Sequence, residues 1–228
     1  MKKSEFNNKT CLITGASRGL GLNIANEFYI NGSNIVLISR NLKDLKIDKK
    51  KIENKNLKNE IYMIVGDISK KKISEGIVKK SLDKFGKIDY LINNAGIYGP
   101  IGQIDTVNYK DILETINTNI LGSLNMSLAV IPHMKKNKKG KIIQIAGGGA
   151  TKPIENFSIY SLSKSAIVRF TETIAHELYS YNININSVSP GFLKTRMTDQ
   201  VIKAGGKKAG EQYYKSNVMQ KKKRRRWL

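Results

Sequence analysis

The chain has 228 residues, 40 % of them hydrophobic, which suits one soluble α/β domain with a large core and leaves no linker to divide it in two. Its one cysteine, Cys11, lies in the apolar run TCLIT, so an internal disulfide is excluded and a buried, unreactive thiol in a reducing cytoplasm is expected. The formal charge of +22 comes mostly from lysines scattered over loops and polar faces without aromatic interleaving, which reads as a solvated surface rather than a nucleic-acid site.

The opening MKKSEFNNKT has charge but no apolar segment, and no run approaches the ~18 apolar residues of a membrane span, so neither a signal peptide nor a membrane partner is expected. Residues 9–14 form a short apolar strand, followed by a glycine-rich turn and an amphipathic helix over about 20–30. A second strand covers NIVLIS, 34–39, and a lysine-rich connection with some helix runs over 41–59. EIYMIV, 60–65, is a third strand, with a helix over 69–85 behind it. IDYLI, 88–92, is a fourth strand that ends at NNAG, and a long helical region is expected over 105–135. GKIIQIA, 140–146, is the fifth strand, 158–180 a helix, and 183–188 the sixth strand before SPG. Strands alternating with helices imply right-handed crossovers and a parallel sheet covered on both faces, a doubly wound Rossmann-type domain with its ligand at the carboxyl ends of the strands.

Chemistry concentrates in two motifs. In TGASRGLG, Gly15, Gly19 and Gly21 stand between a strand and a helix, where glycine permits close backbone approach and the helix N-terminus favours a pyrophosphate. The second strand ends in Ser39 and Arg40 rather than a carboxylate, and Arg18 sits inside the turn. Two guanidinium groups and a hydroxyl suit a 2′-phosphate, which favours NADP(H) over NAD(H). In YSLSK, Tyr160 and Lys164 share one face of a helix a turn apart, where an ammonium is expected to lower the phenol's pKa. His133 and His176 have no partners at metal-ligand spacing, so no metal is expected. Tyr98 and Phe192 read equally as pocket-lining or packing residues.

Together these motifs resemble the short-chain dehydrogenase/reductase superfamily, in the branch of the β-ketoacyl-carrier-protein reductases, over about residues 9–197. The resemblance implies a cofactor turn made of Gly15, Ser17, Arg18, Gly19, Leu20 and Gly21, with Ser39 and Arg40 at the ribose end. It implies that Asp67, followed by Ile68, binds the adenine amino group, and that Asn94, Ala95 and Gly96 of NNAG lie along the cofactor. Pro190, Gly191 and Thr195 of SPGFLKT match the turn and the threonine at the nicotinamide. Asn119, Tyr160 and Lys164 match the catalytic set: Tyr160 as proton donor, Lys164 as its electrostatic support and ribose ligand, and Asn119 holding a water of the proton relay. The implied reaction is hydride transfer between a nicotinamide and a small-molecule carbonyl or secondary alcohol, of 3-oxoacyl or sugar-related type, in a homodimer or homotetramer.

Two departures stand against the family pattern. A serine is expected near the end of the fifth strand, but the place counted back from Tyr160 falls on Gly147, beside Ala146. An oxyanion donor is typically worth 10²–10³ in rate. Thr151, Ser158 or a backbone N–H of the glycine run remain open as substitutes, and a cofactor-binding protein with weak or no catalysis is the alternative. The second departure is the C-terminal part, 198–228, where a partial substrate-covering segment leads into KKKRRRWL instead of a further helix and a seventh strand. A frameshift or truncation, a native basic tail, and a partner that completes the sheet are three open readings.

Overall fold

The computed structural model describes residues 4–52, 57–191, 193 and 195–223. Phe192 and the residues from Arg224 onward lie outside them, so the pocket reading of Phe192 and most of the basic run have no structural counterpart here.

Six strands, β1 (Thr10–Thr14), β2 (Asn34–Ser39), β3 (Ile61–Val65), β4 (Tyr90–Asn93), β5 (Gly140–Ile145) and β6 (Ile183–Val188), form one parallel sheet in the order β3-β2-β1-β4-β5-β6. Parallel strands need crossovers, and helices supply them: α1 (Gly19–Ile30), α2 (Leu42–Ile52), α3 (Lys71–Phe85), α4 (Tyr109–Ile116), α5 (Gly122–Lys136) and α6 (Ser158–Leu178). Alternate residues of each strand face opposite sides. Cys11, Ile13, Ile35 and Leu37 pack under Ala25 and Tyr29 of α1 and Leu45 of α2, whereas Leu12, Val36, Leu91 and Ile142 pack under Ile77 of α3, Met126 and Val130 of α5 and Ile174 of α6. Cys11 is fully buried, and burial pushes its thiol well above its ordinary pKa.

Among the described residues there is no seventh strand, so β6 is an edge of the sheet. The chain after it instead forms α7 (Arg196–Ala209), kinked at Gly205, and α8 (Glu211–Lys223). No helix of the described residues is long and apolar enough to cross a membrane.

The long helical region expected over 105–135 has internal structure. Helix begins only at Tyr109, capped by the Asn108 side chain, and between α4 and α5 lies a π-helical turn, Asn117–Leu121. Such a turn inserts an extra residue and re-aims the side chains within it. Asn119 is at its centre, fully buried and turned toward the sheet's carboxyl end.

Candidate active site

Strand order reverses between β1 and β4, and there the loops after the two strands meet. Gly15 and Gly19 have φ of +62° and +54°, and a Cβ on Gly15 would lie 2.8 Å from Ala95 Cα. Asn94 ties the loops together: its side-chain amide donates to the Thr14 and Gly15 carbonyls at 3.0 and 3.1 Å. The Thr14 hydroxyl accepts from the Asn94 and Ala95 backbone N–H groups at 3.0 and 3.1 Å. The first turn of α1, with Leu20 and Gly21, carries neither a side-chain cap nor an acidic residue, so its N–H groups and positive dipole end face this crevice.

The other expected nucleotide residues gather at the same end. Ser17 is buried and accepts from the Ser39 hydroxyl at 3.4 Å. Arg18 and Arg40 are exposed, and Arg40 stands 3.7 Å from the Glu114 carboxylate. Asp67 accepts from the Ser69 N–H, while Ile68 is buried and its carbonyl accepts from Ser74 and Asn125. Thr195 approaches to 3.3 Å of the position a Cβ on Gly19 would take, and Pro190 and Gly191 connect it to β6.

α6 brings Tyr160 and Lys164 to the end of β5. Lys164 is 4 % exposed, and its ammonium donates to the Ile145 carbonyl at 2.8 Å. A Cβ on Gly96 would stand 3.2 Å from Lys164 Nζ and 3.3 Å from Asn119 Oδ1, so a side chain there would crowd both groups. Asn119 accepts from the Ile97 N–H and donates to the Ile97 carbonyl and the Ser163 hydroxyl, each at 2.9 Å. Ser163 in turn donates to the Tyr160 carbonyl at 2.7 Å. Asn119 and Tyr160, from two distant stretches of sequence, are therefore linked through Ser163, and Lys164 stands beside them with its ammonium 5.9 Å from the Tyr160 ring centroid.

The electrostatics differ from the expectation of a Lys-depressed phenol. Burial holds Tyr160 above the ordinary phenol pKa, with the neighbouring Tyr213 adding to it, and burial brings Lys164 down from 10.5 to about 8. The reason is that both groups are desolvated, and desolvation disfavours the charged form of each. Lys164 also directs its charge to the Ile145 carbonyl.

The glycine run explains how the tyrosine fits. A Cβ on Gly147 would overlap the Tyr160 hydroxyl, and one on Gly149 would lie 2.7 Å from Ser161 Oγ, so the run lets α6 dock closely. Two hydroxyls were considered as substitutes for the missing serine. Thr151 and Ser158 are exposed, and Thr151 donates to the Gly148 carbonyl.

Opposite the run, Tyr98 packs edge-on against Tyr160 with ring centroids 4.8 Å apart, and against Phe157 at 5.2 Å. Tyr213 of α8 covers Phe157 at 5.0 Å, and its hydroxyl meets that of Tyr98 at 3.2 Å. Sequence reading left Tyr98 undecided and missed Phe157, Ser163 and Tyr213; only Ser163, one helical turn from Tyr160, had a signal in its spacing. Beside this cluster an open cleft of about 480 Å³ lies between Gly99–Ile101 and Gln200, Lys203, Ala204 and Lys208 of α7. His133 accepts from the Ile88 N–H, and no group of three or more His, Cys, Asp or Glu among the described residues could hold a metal ion.

A Rossmann-type sheet with a glycine turn at its switch point is the architecture of the dinucleotide-binding α/β proteins. The family model described as short chain dehydrogenase matches residues 9–205, and the chain belongs to that family. It is 34 % identical over 206 residues to "11-beta-hydroxysteroid dehydrogenase-like 2" of Arabidopsis thaliana, covering 89 % of this chain and 66 % of that protein. A second relative of the same plant, "11-beta-hydroxysteroid dehydrogenase-like 3", is 36 % identical, and the chain spans 60 % of its length. The chain thus spans less than two thirds of the length of these curated relatives. Among solved structures, NAD⁺-bound xylitol dehydrogenase superposes with a TM-score of 0.82 at 32 % identity, over 92 % of this chain and 80 % of that one.

Proposed function

We propose that the chain is an NADP(H)-dependent oxidoreductase that interconverts a carbonyl and a secondary alcohol, with Tyr160 moving the proton. The observation that carries this reading is the convergence of Lys164 and Asn119 beside Gly96, at the end of the loop that seals the glycine turn, with the Tyr160 ring centroid 5.9 Å from the Lys164 ammonium.

The residues present fit a dinucleotide. The uncapped first turn of α1 offers N–H donors to a pyrophosphate, and the Gly15–Ala95 approach leaves backbone rather than side chains facing it. Arg18, Ser39 and Arg40 would hold a 2′-phosphate, which would compete with Glu114 for Arg40. Asp67 and Ile68 would line the adenine, Asn94, Ala95, Gly96 and Lys164 the ribose, and Pro190, Gly191 and Thr195 the nicotinamide end. The nicotinamide supplies or accepts the hydride when bound.

The chain's own residues supply position and protons. Tyr160, kept neutral by burial, gives its proton to the oxygen that forms on the substrate. Lys164, as an ammonium, stabilises the phenolate left behind, and Asn119 holds the backbone of 97 and the first turns of α6 in register. Phe157 and Tyr98 exclude water from the reacting group. The expected assembly is a homodimer or homotetramer in the cytoplasm, with a small-molecule substrate and neither membrane nor nucleic acid as partner.

A second reading, a nucleotide-binding protein with weak or no turnover, is favoured by one observation: no hydroxyl stands on Ala146 or Gly147. Titration with NADPH and NADH, followed by turnover assays on xylulose, 3-oxoacyl thioesters, diketones and aryl ketones, separates the two. Tight NADPH binding with reduction of any of these supports the enzyme. Binding without reduction supports the second reading, and binding of neither nucleotide sinks both.

A further inference from the structure

We propose that Tyr98, held by the hydroxyl of Tyr213, is the second hydrogen-bond donor to the reacting oxygen. The proposal rests on the carbonyl–alcohol chemistry proposed at Tyr160. An oxygen that gains negative charge in an apolar pocket is stabilised by any donor already aimed at it. The glycine run offers no side chain for this, Ser158 is exposed, and the Thr151 and Ser189 hydroxyls donate to the carbonyls of Gly148 and Gly147.

The opposite wall is different. Tyr98 is 8 % exposed, lies edge-on to Tyr160, and shares one apolar cluster with Tyr160, Phe157, Val201 and Ala209. Its hydroxyl and that of Tyr213 are 3.2 Å apart, and either could be the donor. Two hydroxyls carry two hydrogens, and the bond between them uses one. Tyr98 is buried and Tyr213 only half-buried, so with Tyr213 as donor the hydrogen left over is the buried Tyr98 O–H, which needs an acceptor because a buried donor left without one is costly.

Tyr98 is assigned as the donor to substrate, since its ring is the one against Tyr160, and Tyr213 as the positioning residue that donates to Tyr98. Burial keeps the Tyr98 phenol far above its ordinary pKa, so it holds its hydrogen throughout the neutral range. Tyr98 only donates a hydrogen bond; the proton that is transferred comes from Tyr160. The assignment makes α8, which carries Tyr213, part of the chemical site rather than a cover alone.

The test is a double-mutant cycle of Tyr98→Phe and Tyr213→Phe, which keep both rings in place, assayed under saturating NADPH with the best carbonyl of the panel. Tyr98→Phe is expected to lower kcat about 100-fold with substrate KM, NADPH affinity and thermal midpoint unchanged. Tyr213→Phe is expected to lower kcat about tenfold, as for one neutral hydrogen bond, and the double variant to be no slower than Tyr98→Phe. Wild-type kcat in Tyr98→Phe, or losses that multiply in the double variant, overturn the assignment while leaving the proposed function standing. A wild type that reduces nothing in the panel overturns both.

Discussion

Two glycine-rich turns follow strands at the same end of the sheet, 15–21 after β1 and 147–149 after β5, and they use glycine for different ends. In the first, Gly15 and Gly19 adopt positive φ, and the space a side chain on Gly15 would fill is taken by Ala95 backbone of the NNAG loop. At Gly15 the crevice wall is main chain, which cannot move aside. In the second, Gly147 is extended, and the space is taken by the end of the Tyr160 side chain. One turn is a cradle and the other a clearance for a helix. Glycine content alone does not separate the two; what an added Cβ would touch does.

Substitutions at the two turns sharpen this contrast. Gly15→Ala forces a non-glycine residue to positive φ against immovable backbone, and is expected to cost about 2–4 kcal/mol of stability and to abolish NADPH binding. Urea unfolding and nucleotide fluorescence read the two effects, and wild-type NADPH affinity in this variant would break the comparison. Gly147→Ala displaces the end of the Tyr160 side chain rather than backbone, so stability is expected to hold while turnover falls up to about 100-fold, the cost of a misplaced reacting group. Parallel losses in the urea midpoint and in kcat would show that the second turn is as rigid as the first.

Lys164 joins the two turns, donating to Ile145 at the start of one and standing against Gly96 in the loop that seals the other. Its folded pKa of about 8 lies below its ordinary 10.5, so the burial penalty is full below pH 8 and is gone by pH 10.5. Between those values the unfolded chain holds a proton that the folded chain has lost, and stability rises with pH. Tyr160, raised above its ordinary 10.0, opposes this only above about pH 10. Thermal midpoints from pH 7 to 9.5 are therefore expected to climb more steeply for wild type than for Lys164→Met, in which the surface charge is otherwise the same. Parallel curves would contradict a desolvated Lys164. The smallest effect is expected at Gly148, where an added Cβ meets nothing within 4 Å: Gly148→Ala should change stability by less than about 0.5 kcal/mol.

The six strands along the chain, the glycine turn and the Tyr160–Lys164 spacing were legible in the sequence because each rests on a local pattern: short apolar runs, glycines between a strand and a helix, and a one-turn spacing. What was not legible depends on contacts between distant residues. The π-helical turn that aims Asn119 has no signal of its own in NTNIL. The pKa order of Tyr160 and Lys164 follows from burial, which a spacing does not report. Tyr213 lies in the polar stretch EQYYKSNVMQ, whose return across the site to Tyr98 and Phe157 is a matter of tertiary packing.

The account's central claim is that Tyr160 moves the proton in a hydride transfer at this site. The most direct measurement is deuterium transfer from NADPH deuterated at the nicotinamide C4, with product analysed by mass spectrometry for wild type and Tyr160→Phe. The account expects label on the carbinol carbon with wild type, and a loss of about 10²–10⁴ in the labelling rate for Tyr160→Phe at unchanged NADPH affinity. Unlabelled product, no product from any carbonyl of the panel, or equal labelling rates in the two proteins would contradict it.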